Sequence, residues 1–216
     1  MKIAVAGASG WLGGAIAREA LERGHEVTAI GRDKDRLSAV EGATPLVADV
    51  TNLSELTEAI GGHDAVVVSV TDRSTEDRSS IPGAARAVVE AVAATDAGKI
   101  LFVGGGGSLH GPDGTRLVDS PGFPEEYETE AKAGAEALDV FLLDAPENVD
   151  WAFLSPPPVD LHDGPKKGDY TVQGGDAPVG EPPTYAGVSS GDLAAAVLDE
   201  LERPQFTRQR FTVGYA

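Results

Sequence analysis

Gly7-Ala8-Ser9-Gly10-Trp11-Leu12-Gly13 follows an apolar run, Ile3-Ala4-Val5-Ala6, and opens a helix-like stretch from Trp11 to Arg23. A glycine-rich turn between a strand and a helix is a phosphate cradle. Its glycines let the backbone turn sharply and approach a pyrophosphate, while the helix N-terminus offers unpaired N–H donors and the positive end of its dipole. The spacing here is G-x-x-G-x-x-G rather than G-x-G-x-x-G. Gly7 is assigned the turn, Gly10 the access for phosphates and Gly13 the close packing of the helix on the sheet. The alternative is a plain glycine turn with no ligand; the strand before and the helix after favour a dinucleotide site.

The chain around this turn has 216 residues, enough for one domain with a substantial core. With 17 basic and 35 acidic residues its net charge is −18. That argues against a nucleic-acid partner, whose phosphates need Lys and Arg, and against docking on anionic membranes. The acidic excess is spread along the chain, as on the solvated surfaces of salt-adapted proteins. There is no cysteine, so disulfides and thiolate metal sites are excluded and a reducing compartment fits. Met1-Lys2 leads directly into the first strand with no secretory signal, and no apolar run approaches the ~20 residues of a membrane span. The expectation is a soluble, cytoplasmic protein.

Strand and helix signals alternate along the rest of the chain. Strand-like runs fall at Ile3–Ala6, Glu26–Ile30, Pro45–Ala48, Ala65–Ser69, Ile100–Val103, Trp151–Leu154 and Phe211–Val213, and helical ones at Leu12–Glu22, Leu53–Ile60, Ile81–Ala94, Glu125–Leu143 and Asp192–Glu202. Ala65-Val66-Val67-Val68 and Ile100-Leu101-Phe102-Val103 are continuously apolar, as strands buried on both faces are. Ser54 or Asn52 is expected to cap the helix after the third strand and Ser190 the last helix. The alternation predicts an α/β fold: a Rossmann-type, doubly wound parallel sheet with helices on both faces, residues 1–216 forming a single domain. Two segments break the rhythm. Residues 104–124 are glycine-rich, and residues 155–185 carry seven prolines, among them Pro156, Pro157, Pro158 and Pro183. Both leave the carboxyl edge of the sheet, where ligands bind in open α/β folds, and are expected to wall the substrate site.

The end of the second strand separates the two nicotinamide cofactors, because a carboxylate there accepts the ribose 2′-hydroxyl while a cation accommodates a 2′-phosphate. The chain reads Gly31-Arg32-Asp33-Lys34-Asp35-Arg36. Arg32 comes first and its guanidinium fits a phosphate bidentately, with Arg36 one turn on; this favours NADP. Asp33 either caps a short helix or takes the ribose, which would favour NAD. Asp49-Val50 ends the third strand, where a carboxylate can meet the adenine amino group and Val50 its ring; a turn or cap role for Asp49 is the alternative. Ser69-Val70-Thr71 ends the fourth strand and belongs near the nicotinamide ribose.

With these residues in place the chain resembles the atypical short-chain dehydrogenases with one NAD(P)H-binding (NmrA-like) domain, and is similar to NAD(P)H-flavin reductases and to biliverdin-IXβ reductase. The resemblance rests on Gly7–Gly13, Arg32, Asp49-Val50 and Ser155-Pro156. It also draws on Gly24-His25-Glu26-Val27-Thr28-Ala29-Ile30, Gly168-Asp169-Tyr170 and Ala196-Val197-Leu198-Asp199-Glu200-Leu201-Glu202-Arg203-Pro204. It implies that Gly7, Ser9, Gly10, Trp11 and Leu12 touch the pyrophosphate, that Arg32 touches the 2′-phosphate, and that hydride passes to a flat acceptor lying over the nicotinamide. It does not extend to bile-pigment reduction. The biliverdin reductases carry Ser just after the fifth strand and His after the sixth, where this chain has Gly104–Gly107, with Ser108 later, and Pro158.

Carbonyl-reducing short-chain dehydrogenases use Tyr-x-x-x-Lys on one helical face. Tyr127 and Lys132 are five apart, about 140° out of alignment at 3.6 residues per turn. The alternative is a surface Tyr127 and a Glu128–Lys132 helical ion pair. Ser108 is a further candidate proton donor, as are His110 and His162 in the two loops. His25 and His63 read as structural or surface groups, and nothing fixes a metal geometry around Asp160, His162 and Asp163. A ketone acceptor needs a positioned acid, whereas a flavin or quinone takes its proton from solvent. The reading is therefore an NADPH-dependent oxidoreductase with a small-molecule acceptor of flavin or quinone type. The alternatives are a non-catalytic NADP(H) sensor with a protein partner, and a sugar-nucleotide epimerase or dehydratase. The latter usually carries a larger C-terminal substrate domain than the residues after the sixth strand provide.

Overall fold

The computed structural model describes residues 1–71, 76–182 and 184–215; Pro183 of the second loop lies outside them. The chain alternates as the sequence predicts. β1 (Lys2–Ala6), α1 (Trp11–Glu22), β2 (Glu26–Gly31), α2 (Lys34–Ser38), β3 (Thr44–Val47), α3 (Leu53–Ile60) and β4 (Ala65–Val68) form the first half. The second half runs through α4 (Ser80–Ala93), β5 (Lys99–Val103), α5 (Glu125–Leu143), β6 (Trp151–Ser155), β7 (Leu161–His162), β8 (Thr171–Gly174), β9 (Val188–Ser189), α6 (Ser190–Glu202) and β10 (Gln209–Gly214).

Among the described residues the main sheet has the order β3-β2-β1-β4-β5-β6-β10-β8. All neighbours are parallel except β8, which pairs antiparallel with β10. The order reverses between β1 and β4, so the crevice at their carboxyl ends is the topological switch point. Strand burial follows from double coverage. Ile3 and Val5, Ala65 and Val67, and Leu101 and Val103 face α1 and α6. Ala4 and Ala6, Val66 and Val68, and Ile100 and Phe102 face α3, α4 and α5. A strand covered on both sides has no position left for a polar residue, hence the continuous apolar runs. On the second face Phe102, Phe141, Trp151 and Phe153 form an aromatic cluster with ring centroids 5.3 to 5.7 Å apart.

The structure departs from the sequence reading in three places. β8 adds an antiparallel edge strand to a sheet expected to be parallel throughout, and β7 with β9 makes a small second sheet. Both lie in or beside the segment read as loop, 155–185, whose proline content hides their short pairing. The last helix is capped by Ser189, whose hydroxyl accepts the Asp192 N–H at 3.1 Å, and not by Ser190. The helix starts one residue earlier than a Ser190 cap allows, which leaves Ser190 free to bond Asp163 at 3.0 Å. Asn52 caps α3, accepting from Ser54 and Glu55. No helix of the described residues is long and apolar enough to cross a membrane.

Candidate dinucleotide site at the carboxyl edge

Gly7 follows β1 with φ +88°, a conformation that L side chains rarely adopt, and a Cβ there would collide with the Ser69 carbonyl at the end of β4. The turn thus sits against the switch point only because residue 7 is glycine. Gly13 is close-packed too, but on the turn rather than on the sheet: a Cβ there would run into the Gly7 carbonyl. Gly10 is the N-cap of α1 and brings no side chain to cap it. It is exposed, its N–H donates to Gly7 O at 2.8 Å, and its carbonyl accepts Gly14 N–H at 2.9 Å. The first-turn N–H groups at Trp11, Leu12 and Gly13 are not capped by a side chain, as an anion cradle requires.

Side chains from three other elements converge on this edge. Arg36 on α2 reaches back and donates to Ser9 O at 2.9 Å, which fixes the turn to the loop after β2. Asp33 caps α2, its Oδ1 accepting from the N–H groups of Asp35 at 3.0 Å and Arg36 at 3.1 Å. Arg32, directly after β2, is exposed at the same place. Asp49 shapes the turn into α3: one oxygen accepts from Thr51 N–H at 2.9 Å and the Thr51 hydroxyl at 2.8 Å. Val50 packs half-buried on the core beside it, and Val70 does so at the end of β4.

The second loop is clasped onto α1. Trp11 donates its indole N–H to Asp163 at 3.1 Å, and Ser190 on α6 donates to the same oxygen at 3.0 Å. Those two bonds, Trp11 first, hold the Asp163 carboxyl below its ordinary pKa. Behind this clasp lies Asp192, a residue that sequence reasoning gave no role beyond opening the last helix. It is fully buried. It accepts from the N–H groups of Lys167 and Gly168, each at 2.8 Å, from Tyr215 Oη at 2.7 Å and from Ser189 Oγ at 3.2 Å. Burial pushes its carboxyl up, and these donors outweigh it to leave the pKa lowered.

The candidate catalytic residues are not brought together. Ser108 lies in a 3₁₀ turn, Gly106–Ser108, and is fully buried; its hydroxyl donates to Gly105 O at 3.0 Å and lies 3.3 Å from Ser155 Oγ. Tyr127 is 57% exposed in the first turn of α5. Lys132 is exposed and paired with Glu128 one turn away, which raises its pKa. Among the described residues no hydrogen bond joins any two of the three. The structural alternative for Tyr127 and Lys132, a surface ring and a helical ion pair, describes their surroundings. His25 and His63 have structural partners, Glu202 at 2.9 Å and Thr28 at 2.8 Å. Among the described residues no group of three His, Asp or Glu side chains could hold a metal ion.

Fold and site define a nicotinamide-dinucleotide-binding Rossmann protein, and the comparisons with known proteins agree. The profile of the NAD(P)H-binding family matches residues 7–204, so the chain belongs to that family. It is similar to the uncharacterized protein YwnB of Bacillus subtilis, 37% identical over 215 residues that span 99% of this chain and 98% of YwnB. Among solved structures it is similar to a candidate NADH-flavin reductase of Streptococcus pneumoniae, 32% identical with a TM-score of 0.86 over the whole of both chains. It is also similar to a candidate epimerase of Bacteroides thetaiotaomicron, 35% identical with a TM-score of 0.87 over 99% of this chain and 96% of the other.

Proposed function

We propose that the protein is an NADPH-dependent oxidoreductase that passes hydride to a flavin- or quinone-like acceptor. The observation that carries this reading is the contrast between the two halves of the carboxyl edge. The dinucleotide half is built: a glycine cradle, uncapped N–H donors, and Arg32 with Arg36 beside it. On the acceptor half the Tyr–Lys arrangement of carbonyl reducers is not assembled: Ser108 is buried, Tyr127 stands in solvent and Lys132 is ion-paired with Glu128, while the histidines of that half, His110 and His162, stand beside Asp176 and Asp160. The likeness to the S. pneumoniae flavin-reductase candidate supports the same acceptor class.

In this reading Gly7, Ser9, Gly10, Trp11 and Leu12 hold the pyrophosphate, Arg32 the 2′-phosphate, and Asp49 and Val50 the adenine. Ser69 and Val70 lie along the nicotinamide ribose. NADPH is preferred to NADH because Asp33 commits an oxygen to the cap of α2, which leaves the first charged group after β2 a cation. The bound nicotinamide supplies hydride. The chain's own part is to hold the dinucleotide and to press the acceptor against it between residues 104–124 and 155–185, while solvent delivers the proton. Steady NADPH oxidation by purified protein with FMN, riboflavin or a quinone is the expected result; absence of turnover with all three would refute it. The epimerase reading has one observation in its favour, the B. thetaiotaomicron neighbour. A sugar-nucleotide product formed without net NADPH consumption would establish it instead.

A further inference from the structure

Asp163 follows β7, and one oxygen of its carboxylate accepts from the first residues of two helices. Trp11 opens α1 and donates its indole N–H at 3.1 Å; Ser190 opens α6 and donates its hydroxyl at 3.0 Å. The carboxylate is therefore no farther from the start of α1 than one indole side chain and that bond, within the screening length of about 10 Å at 0.1 M salt. It does not cap the helix, and the N–H groups of Trp11, Leu12 and Gly13 stay open to a phosphate. The first turn of α1 carries no acidic residue, although those of α2, α3, α5 and α6 all do. A chain that keeps acids out of this turn brings one back to its rim from 152 residues away.

The segment after Asp163 is pinned, so the charge stays at the rim. Gly164 N–H donates to the Ser190 hydroxyl at 3.3 Å, and Gly191 N–H donates to Gly164 O at 3.1 Å. Gly191 is pressed so closely on the segment that a Cβ there would collide with the backbone of Pro165 and Lys166. Asp192 holds the N–H groups of Lys167 and Gly168, and Lys166 is committed to Glu19 at 2.7 Å. Arg18 on α1 attracts the carboxylate through space. We propose that Asp163 sets the dinucleotide affinity: a fixed anion at the rim of the cradle, it repels the pyrophosphate that α1 attracts and hastens release of the spent dinucleotide. Like charges held this close raise the free energy of the bound state, and product release limits the turnover of many enzymes. The proposal rests on the dinucleotide reading above.

Asp163→Asn tests this, because it keeps the oxygen that accepts from Trp11 and Ser190 and removes only the charge. Asp163→Ser carries the same comparison if that variant does not fold. Titrated at 0.01 M KCl, the variant is expected to bind NADPH about threefold more tightly than the wild type, with slower dissociation in stopped flow. The gain should disappear at 1 M KCl, where the screening length is about 3 Å. ADP-ribose, which carries the pyrophosphate, should show the same gain; adenosine 2′-monophosphate, which lacks it, should not. Glu90→Gln makes the same charge change at an exposed position on α4 and is expected to leave NADPH affinity unchanged. Four results would overturn the proposal and leave the dinucleotide reading intact: unchanged or weaker NADPH binding by the Asp163 variant, an unchanged dissociation rate, a gain that persists at 1 M KCl, or an equal gain in Glu90→Gln or with adenosine 2′-monophosphate. If neither the wild type nor the variant binds a dinucleotide, that reading fails and the proposal falls with it.

Discussion

Asp192 shows how much one side chain can organise. It gathers two loop N–H groups and two hydroxyls, and so locks residues 164–168 against the start of α6. Its carboxyl is more acidic in the folded chain than in the unfolded one. The stability it contributes is therefore full above the unfolded pKa of about 3.9 and is lost as pH falls through the lower folded value. Asp192→Asn should cost about 2 kcal/mol at neutral pH, the worth of hydrogen bonds to a charged acceptor. It should also flatten the loss of stability between about pH 5 and pH 3. Denaturant melts of both proteins across that range measure this, and parallel pH profiles would exclude the role. None of it was legible in the sequence: Ser189-Ser190-Gly191-Asp192 offers two adjacent serines as caps, and only the pairing of β9 with β7 decides between them. The glycine turn is the opposite case. Gly7 and Gly13 could be read because a positive φ and a close backbone approach admit one residue type. Arg210 could not, since nothing in Gln209-Arg210-Phe211-Thr212 says which loop lies over it.

Elements were legible in proportion to how much their own residues determine them. α3 and α5 lie where the apolar spacing puts them, and the central strands are within a residue or two, because double burial writes an unbroken apolar run. β8 was missed: Thr171-Val172-Gln173-Gly174 has little alternation, and its strand character comes from pairing with Thr212 and Val213 across the sheet. The segments after β5 and β6 suffer the same opacity: they are held by partners distant in sequence, such as Trp11 with Asp163 and Arg210 with Ser108, whereas the glycine turn belongs to one contiguous strand–turn–helix unit.

Over the whole molecule a net charge of −18 opposes compaction. Ion pairs such as Arg23 with Glu19, Asp199 and Glu202, part-buried between α1 and α6, relieve it locally but cannot offset so large an excess. Salt shortens the screening length from about 30 Å at 0.01 M to about 3 Å at 1 M, so self-repulsion weakens more than these contacts do. Tm should rise by about 5 °C or more between those KCl concentrations; a flat or falling Tm would show that the acidic surface carries no net repulsion. The same molecule is proposed to bind an anionic dinucleotide, which places the selectivity on a few local cations. Titration of the wild-type protein and Arg32→Ala with NADPH and with NADH tests that most directly. The account predicts saturable binding of both by the wild type, NADPH the tighter, and a loss of about tenfold or more in NADPH affinity for the variant with NADH nearly unchanged. No saturable binding of either dinucleotide, or equal losses for both in the variant, would contradict it.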